Sequence, residues 1–136
     1  MSQNVLAQIH ELLAARRYSV AATSDSGLRI QEVDSGLVMH AELQGEILFF
    51  SLVCATVPAE RVTPALMRKM LAAKNGISTS HFQLDDAGDD NTIVTLNNFC
   101  KLQDMGADDE DDILSCVSFL LVDVLRARDL LAIDLQ

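Results

Sequence analysis

Three closely spaced turn signals constrain this chain most. Asp25-Ser26-Gly27, Asp34-Ser35-Gly36 and Gln44-Gly45-Glu46 each place a glycine where a tight turn needs a positive φ. The segments they separate, residues 18–22, 28–33 and 37–43, carry period-two or β-branched character, which fits half-buried strands. Connections this short join only antiparallel neighbours, so this part of the chain reads as an antiparallel meander. A fourth strand, residues 47–57, is almost wholly apolar and is expected to be central and buried on both faces.

Helices bracket the strands. In residues 4–17, Val5, Ile9, Leu12 and Leu13 follow the i, i+4, i+7, i+8 spacing of one apolar stripe. Thr63 can cap a second helix, Pro64 suits its first position, residues 65–74 favour helix, and Asn75-Gly76 ends it. Two more strands are expected at residues 77–84 and 92–102. The polar stretch 85–91 between them has the composition of a long hairpin loop. The last helix starts at Asp108, with Asp109, Glu110, Asp111 and Asp112 favourably placed at the positive end of its dipole. The expected architecture is α+β: helix, antiparallel meander, helix, two strands and a long C-terminal amphipathic helix, in a single domain over residues 1–136.

That last helix spans roughly 24 residues and ~36 Å. At 100° per residue Ile113, Val117, Leu120, Val124 and Leu131 align, with Leu114, Leu121 and Leu125 beside them; Cys116, Phe119, Ala127 and Leu130 widen the arc past half the circumference. One sheet covers only about a 100° stripe. A subunit partner is the simplest further cover, so a homodimer is expected, with Ile113, Val117, Leu120, Leu121, Val124, Leu125 and Arg128 as its interface. Arg128 falls inside the apolar arc, where a long side chain at a helix end snorkels to water.

Charge excludes several classes of function. Twenty acids against ten bases leave a net charge of −10, and residues 85–112 hold ten of those acids against the single base Lys101. Such a field repels phosphate backbones and anionic membrane surfaces, so nucleic acid and membrane are not expected partners. The uncharged stretch 113–122 is too short for a spanning helix, which needs about 20 residues. The start, Met1-Ser2-Gln3-Asn4, lacks a basic cluster, so the cytoplasm is the expected compartment.

Candidate chemical sites are sparse. His10, His40 and His81 lie far apart with no cysteine or histidine at a metal-ligand spacing. Cys54, Cys100 and Cys116 are odd in number, distant in sequence and flanked by apolar residues, which favours small core residues over a disulfide framework or a catalytic thiol. The 85–91 loop has the carboxylate density a hard cation favours but not the ligand order of an EF-hand. No phosphate-binding glycine loop, nucleophile elbow or zinc-protease signature occurs. No catalytic residue, cofactor or metal is therefore expected.

The order of elements in a small acidic chain resembles the type III secretion chaperone fold, most closely over residues 66–131. The matching pattern is a helix ending in Asn75, a strand closing on acids (Phe82-Gln83-Leu84-Asp85-Asp86), a second strand (Ile93-Val94-Thr95-Leu96) and a final helix rich in Leu and Phe. The segment Asn97-Asn98-Phe99-Cys100-Lys101-Leu102-Gln103-Asp104 also resembles a group sharing that fold, the small bacterial proteins of the YjfI type. The first resemblance implies a homodimer that holds an unfolded segment of a secreted protein on apolar patches of the first helix, at Val5, Ile9, Leu12 and Leu13, and of the first strands. The second implies regulation by binding a membrane-remodelling partner. The expected function is a non-enzymatic, dimeric, acidic protein-binding module. The alternative is binding of a divalent cation or a basic partner through residues 85–112.

Overall fold

The computed structural model describes residues 2–135 and contains nine principal elements. These are α1 (Ser2–Ala14), β1 (Tyr18–Ala22), β2 (Gly27–Glu32), β3 (Val38–Gln44), β4 (Ile47–Pro58), α2 (Pro64–Leu71), β5 (His81–Gly88), β6 (Asn91–Lys101) and α3 (Ala107–Ala132), with a single 3-10 turn at Ala59–Arg61. The fold is α+β, as the turn signals and helical stripes predict, and the six strands form a sheet in the order β1-β2-β3-β4-β6-β5. By internal packing the chain divides into two compact units. One comprises the chain up to Ser51 together with Asn98–Ser118, the other Leu52–Asn97 together with the chain from Phe119 onward.

The first unit holds the meander. β1, β2, β3 and the start of β4 pair antiparallel in sequence, with Val20 opposite Ile30, Ile30 opposite Met39 and Ala41 opposite Phe50. Alternation sends Leu28, Ile30, Met39, Ala41, Leu43, Leu48 and Phe50 inward, where Leu6, Ile9 and Leu13 of α1 and Ile113 and Val117 of α3 are also buried. Each of the larger side chains among these contributes about 1.5–3 kcal/mol on burial. Gly36 and Gly45 adopt the positive φ that the turns require, whereas Gly27 does not: it is the first residue of β2 and takes the strand conformation instead.

In the second unit, Thr63 caps α2 by accepting the Leu66 amide proton on Oγ1 at 3.1 Å. The helix stops at Leu71, one turn before the Asn75-Gly76 signal. Asn75 acts as a side-chain cap instead: its Nδ2 donates to the Met70 carbonyl at 2.6 Å while its Oδ1 accepts from the Ile77 amide at 2.9 Å. The core here comprises Leu52, Leu66, Met70, Phe82, Val94, Leu96, Leu120, Val124, Ala127 and Leu131.

Three expectations change. β4 is not buried on both faces: Leu48, Phe50 and Leu52 are enclosed, but Phe49 and Val53 are 38% and 47% exposed. An antiparallel strand needs only one covered face, and an all-apolar sequence does not supply the second cover. The long loop at 85–91 is a tight hairpin. β5 continues to Gly88, β6 begins at Asn91, and the turn residues Asp89 and Asp90 both have positive φ, 52° and 61°, as a type I′ turn demands. Aspartate tolerates that conformation better than most residues. Finally, β5 starts at His81 rather than at residue 77, because Ser78 and Ser80 are engaged by Asp123.

Candidate functional site

One opening in the first unit lies between α1 and the edge of the sheet. Leu6 and Leu28, 7% and 2% exposed, form its floor; Ala7, His10, Ala22 and Ser24 form its walls; the carboxylates of Glu11 and Asp25 stand on its rim. Its volume is about 430 Å³, within the range of pockets that accept a small ligand or a large side chain. Sequence alone places Leu6 and His10 on α1 but does not reveal that the helix leaves this gap against β1 and β2.

β1 is an edge strand. The Val33 amide donates to Arg17 O at 3.1 Å and the Thr23 amide to Gly27 O at 3.0 Å, so the alternate residues Tyr18, Val20 and Ala22 turn their backbone groups away from β2. One of these groups is already partnered. His10 Nε2 lies 3.0 Å from the Val20 carbonyl and donates to it, tying α1 to the strand and blunting the edge there. Ala22 lies beside the acid-rimmed pocket.

The four residues expected to bind a partner divide. Ile9 and Leu13 have no exposed surface and belong to the core, while Val5 and Leu12 are half-buried. A stripe that packs a helix onto its own sheet has little left for a partner. Beside that stripe Ala7 is exposed, and the buried Leu6 is reached only at the floor of the pocket. Leu12 lines a second, more polar hollow of about 380 Å³ with Gln8, Glu11, Ala15, Arg16, Met105 and Glu110.

The expected dimer residues divide similarly. Ile113, Val117, Leu120 and Val124 are 0% exposed within a single chain, so they are core residues and correct that part of the expected interface. Leu121 is half-buried, and Leu125 and Arg128 are exposed. In the second unit the apolar surface of α3 consists of Phe119, Val122 and Leu125, 41%, 50% and 59% exposed. Arg128 is at the surface, as a snorkelling residue should be, and its charge reaches Cys54. Burial pushes the Cys54 thiol up to about 11 despite that guanidinium.

The acids of residues 85–112 form no shared ligand set. They are divided between the two units, and among the described residues no group of three His, Cys, Asp or Glu side chains is placed to hold a metal ion. Asp109 is fully committed to the loop before α3. One of its oxygens accepts the amides of Gln103, Asp104 and Met105 at 2.8, 3.0 and 2.7 Å. The expected cap at Asp108 is thus replaced by a carboxylate that orders the approach to the helix.

No protein-family model matches this chain, and no curated protein matches it. Among solved structures, it is similar to YbjN from E. coli, described as a candidate transcription regulator, with a TM-score of 0.67 and 13% identity over 91% of each chain. It is also similar to a chain of the heterodimeric ExoU-SpcU complex from the type III secretion system of Pseudomonas aeruginosa. There the TM-score is 0.60 and the identity 18%, covering 94% of this chain and 98% of that one. The fold therefore resembles that of type III secretion chaperones. No helix among the described residues is long and apolar enough to cross a membrane.

Proposed function

We propose that this protein is a non-enzymatic polypeptide-binding module, chaperone-like or regulatory, that takes an extended segment at the α1 pocket. The carrying observation is the pocket's composition: an apolar floor of Leu6 and Leu28 under two rim carboxylates, Glu11 and Asp25, beside the edge strand β1. An apolar side chain next to a lysine or arginine fits that chemistry, and strand addition is a common way for a sheet edge to hold a peptide. The likeness to a chain of a heterodimeric secretion complex supports a polypeptide partner. The partner is a secreted-protein segment or, on the YjfI-type resemblance, a membrane-remodelling regulator. If the protein is a regulator, its net charge of −10 favours action on another protein over contact with DNA.

The test is a fluorescence-anisotropy titration with two short peptides of alternating residues, Leu-Lys and Leu-Glu. The Leu-Lys peptide should bind at least about tenfold more tightly, and Glu11→Lys with Asp25→Lys should abolish that preference. Equal affinities, or a preference that survives both reversals, would remove the pocket from the mechanism.

The same reading includes a homodimer, formed through the surface left on α3 once its core residues are discounted. Phe119, Val122 and Leu125 give the apolar contact, and Arg128 and Asp129 beside them can pair across a twofold axis. Leu125→Asp puts a charge on an exposed position, so it spares the fold and should convert a dimer to a folded monomer by light scattering. A wild-type monomer, or a variant that stays dimeric, would contradict this interface.

A further inference from the structure

Cys100 and Cys116, sixteen positions apart and unremarkable as sequence, come together in the first unit. Cys100 is on the inward face of β6 and 8% exposed. Cys116 is on α3 and partly open to solvent. Asn98, one inward position before Cys100, donates from Nδ2 to the Cys116 carbonyl at 2.9 Å, which fixes this turn of α3 against this end of β6. That places the two thiols as neighbours whose charges influence each other, and both cysteines are free.

We propose that Cys100 and Cys116 form a redox-responsive dithiol that low-molecular-weight disulfides convert to an intrachain disulfide joining β6 to α3. Cys116, the accessible member, attacks first. Its thiolate bonds to one sulfur of the small disulfide, whose S–S bond breaks and releases the other half as a thiolate. Cys100 then gives up its proton and attacks the Cys116 sulfur, forming the Cys100–Cys116 bond and releasing the second half as a thiol. Two protein thiols are thereby oxidised as one small disulfide is reduced to two thiols.

The electrostatics support this order. The neighbouring Cys100 thiol holds Cys116 below its usual range, against burial and the Asp112 carboxylate. The pairing with Cys116, burial and the nearby acids push the Cys100 thiol up, so it resolves rather than initiates. Cys54, half-buried with its thiol raised to about 11, provides an internal reference that should react slowly. Once formed, the bond would close the segment 101–115 into a loop and restrain the start of α3 against the strand.

The experiment treats the native protein with glutathione disulfide and follows intact mass and peptide maps. The wild type should lose the mass of two hydrogens, with Cys100 joined to Cys116 and Cys54 free, and its urea midpoint should rise and return with dithiothreitol. Cys100→Ser should stop at a stable glutathione adduct on Cys116. A wild type that accumulates this adduct without closing, links between chains, or keeps both thiols unmodified would overturn the proposal. So would a Cys116→Ser variant that gains glutathione at Cys100 as readily as the wild type reacts at Cys116.

Discussion

Asp123→Ala is expected to cost about 3 kcal/mol of folding stability, lowering the melting temperature by roughly 10 °C. Asp123 is 0% exposed in the middle of α3, a position where a charge is normally prohibitive. Its carboxylate is tolerated because it is saturated with donors. The Ser78 amide and hydroxyl donate to Oδ1 at 3.0 and 2.9 Å, and the Ser80 amide to Oδ2 at 3.3 Å. Alanine would take the acceptor from the donors of the exposed Ser78 and the half-buried Ser80 and detach residues 78–80 from the helix. Asp123→Asn, which keeps one acceptor oxygen, should cost less. Urea unfolding of the three proteins checks this; a loss below about 0.5 kcal/mol for Asp123→Ala, the size of an ordinary surface change, would show that Asp123 does not organise the segment.

Asp109→Ala is expected to cost about 2 kcal/mol and to weaken the protein's sensitivity to acid. Burial alone would raise the Asp109 carboxyl, yet the amides of Gln103, Met105 and Asp104 hold it below its ordinary value of 3.8. Asp123 behaves alike: burial raises it, and the donors of Ser78 and Ser80 bring it below 3.8. For a carboxyl whose folded value is depressed, the stabilisation is fully present above the unfolded value. It is lost as pH falls through the folded value, because the unfolded chain takes up the proton first. Wild-type stability should therefore be insensitive to these two groups above about pH 5 and decline below about pH 4. Each alanine variant should decline less steeply over the same range. Parallel acid-unfolding curves for wild type and both variants would contradict the assignment.

What could be read from the sequence followed from local signals. The meander was legible because turn signals and period-two strands support each other, even though Gly27 opens a strand and lacks the expected positive φ, and α3 because its apolar spacing persists for about five turns. Features fixed by distant partners were hidden. Residues 77–80 look like the start of a strand, and only the fold brings Ser78 and Ser80 to Asp123, forty-odd positions on. The Asp89-Asp90 turn lacks the usual glycine, so acidic composition suggested a loop where two left-handed aspartates close a hairpin. The site was the least legible part. Helical periodicity identified α1 as apolar on one side, but the same stripe that marks a binding face marks a core face. Ile9 and Leu13 proved to be core, and the pocket opens at Leu6 and His10 because of where β1 and β2 end against the helix.

The central claim is that an extended, basic and apolar polypeptide segment binds at the α1 pocket beside β1. The most direct test is amide chemical-shift mapping of the labelled protein during titration with the Leu-Lys peptide. The shifts should concentrate on residues 6–11, 18–25 and 28, with the His10 ring responding as the segment reaches the Val20 edge. Saturable binding that leaves these residues unmoved, or no binding at all, would contradict the account.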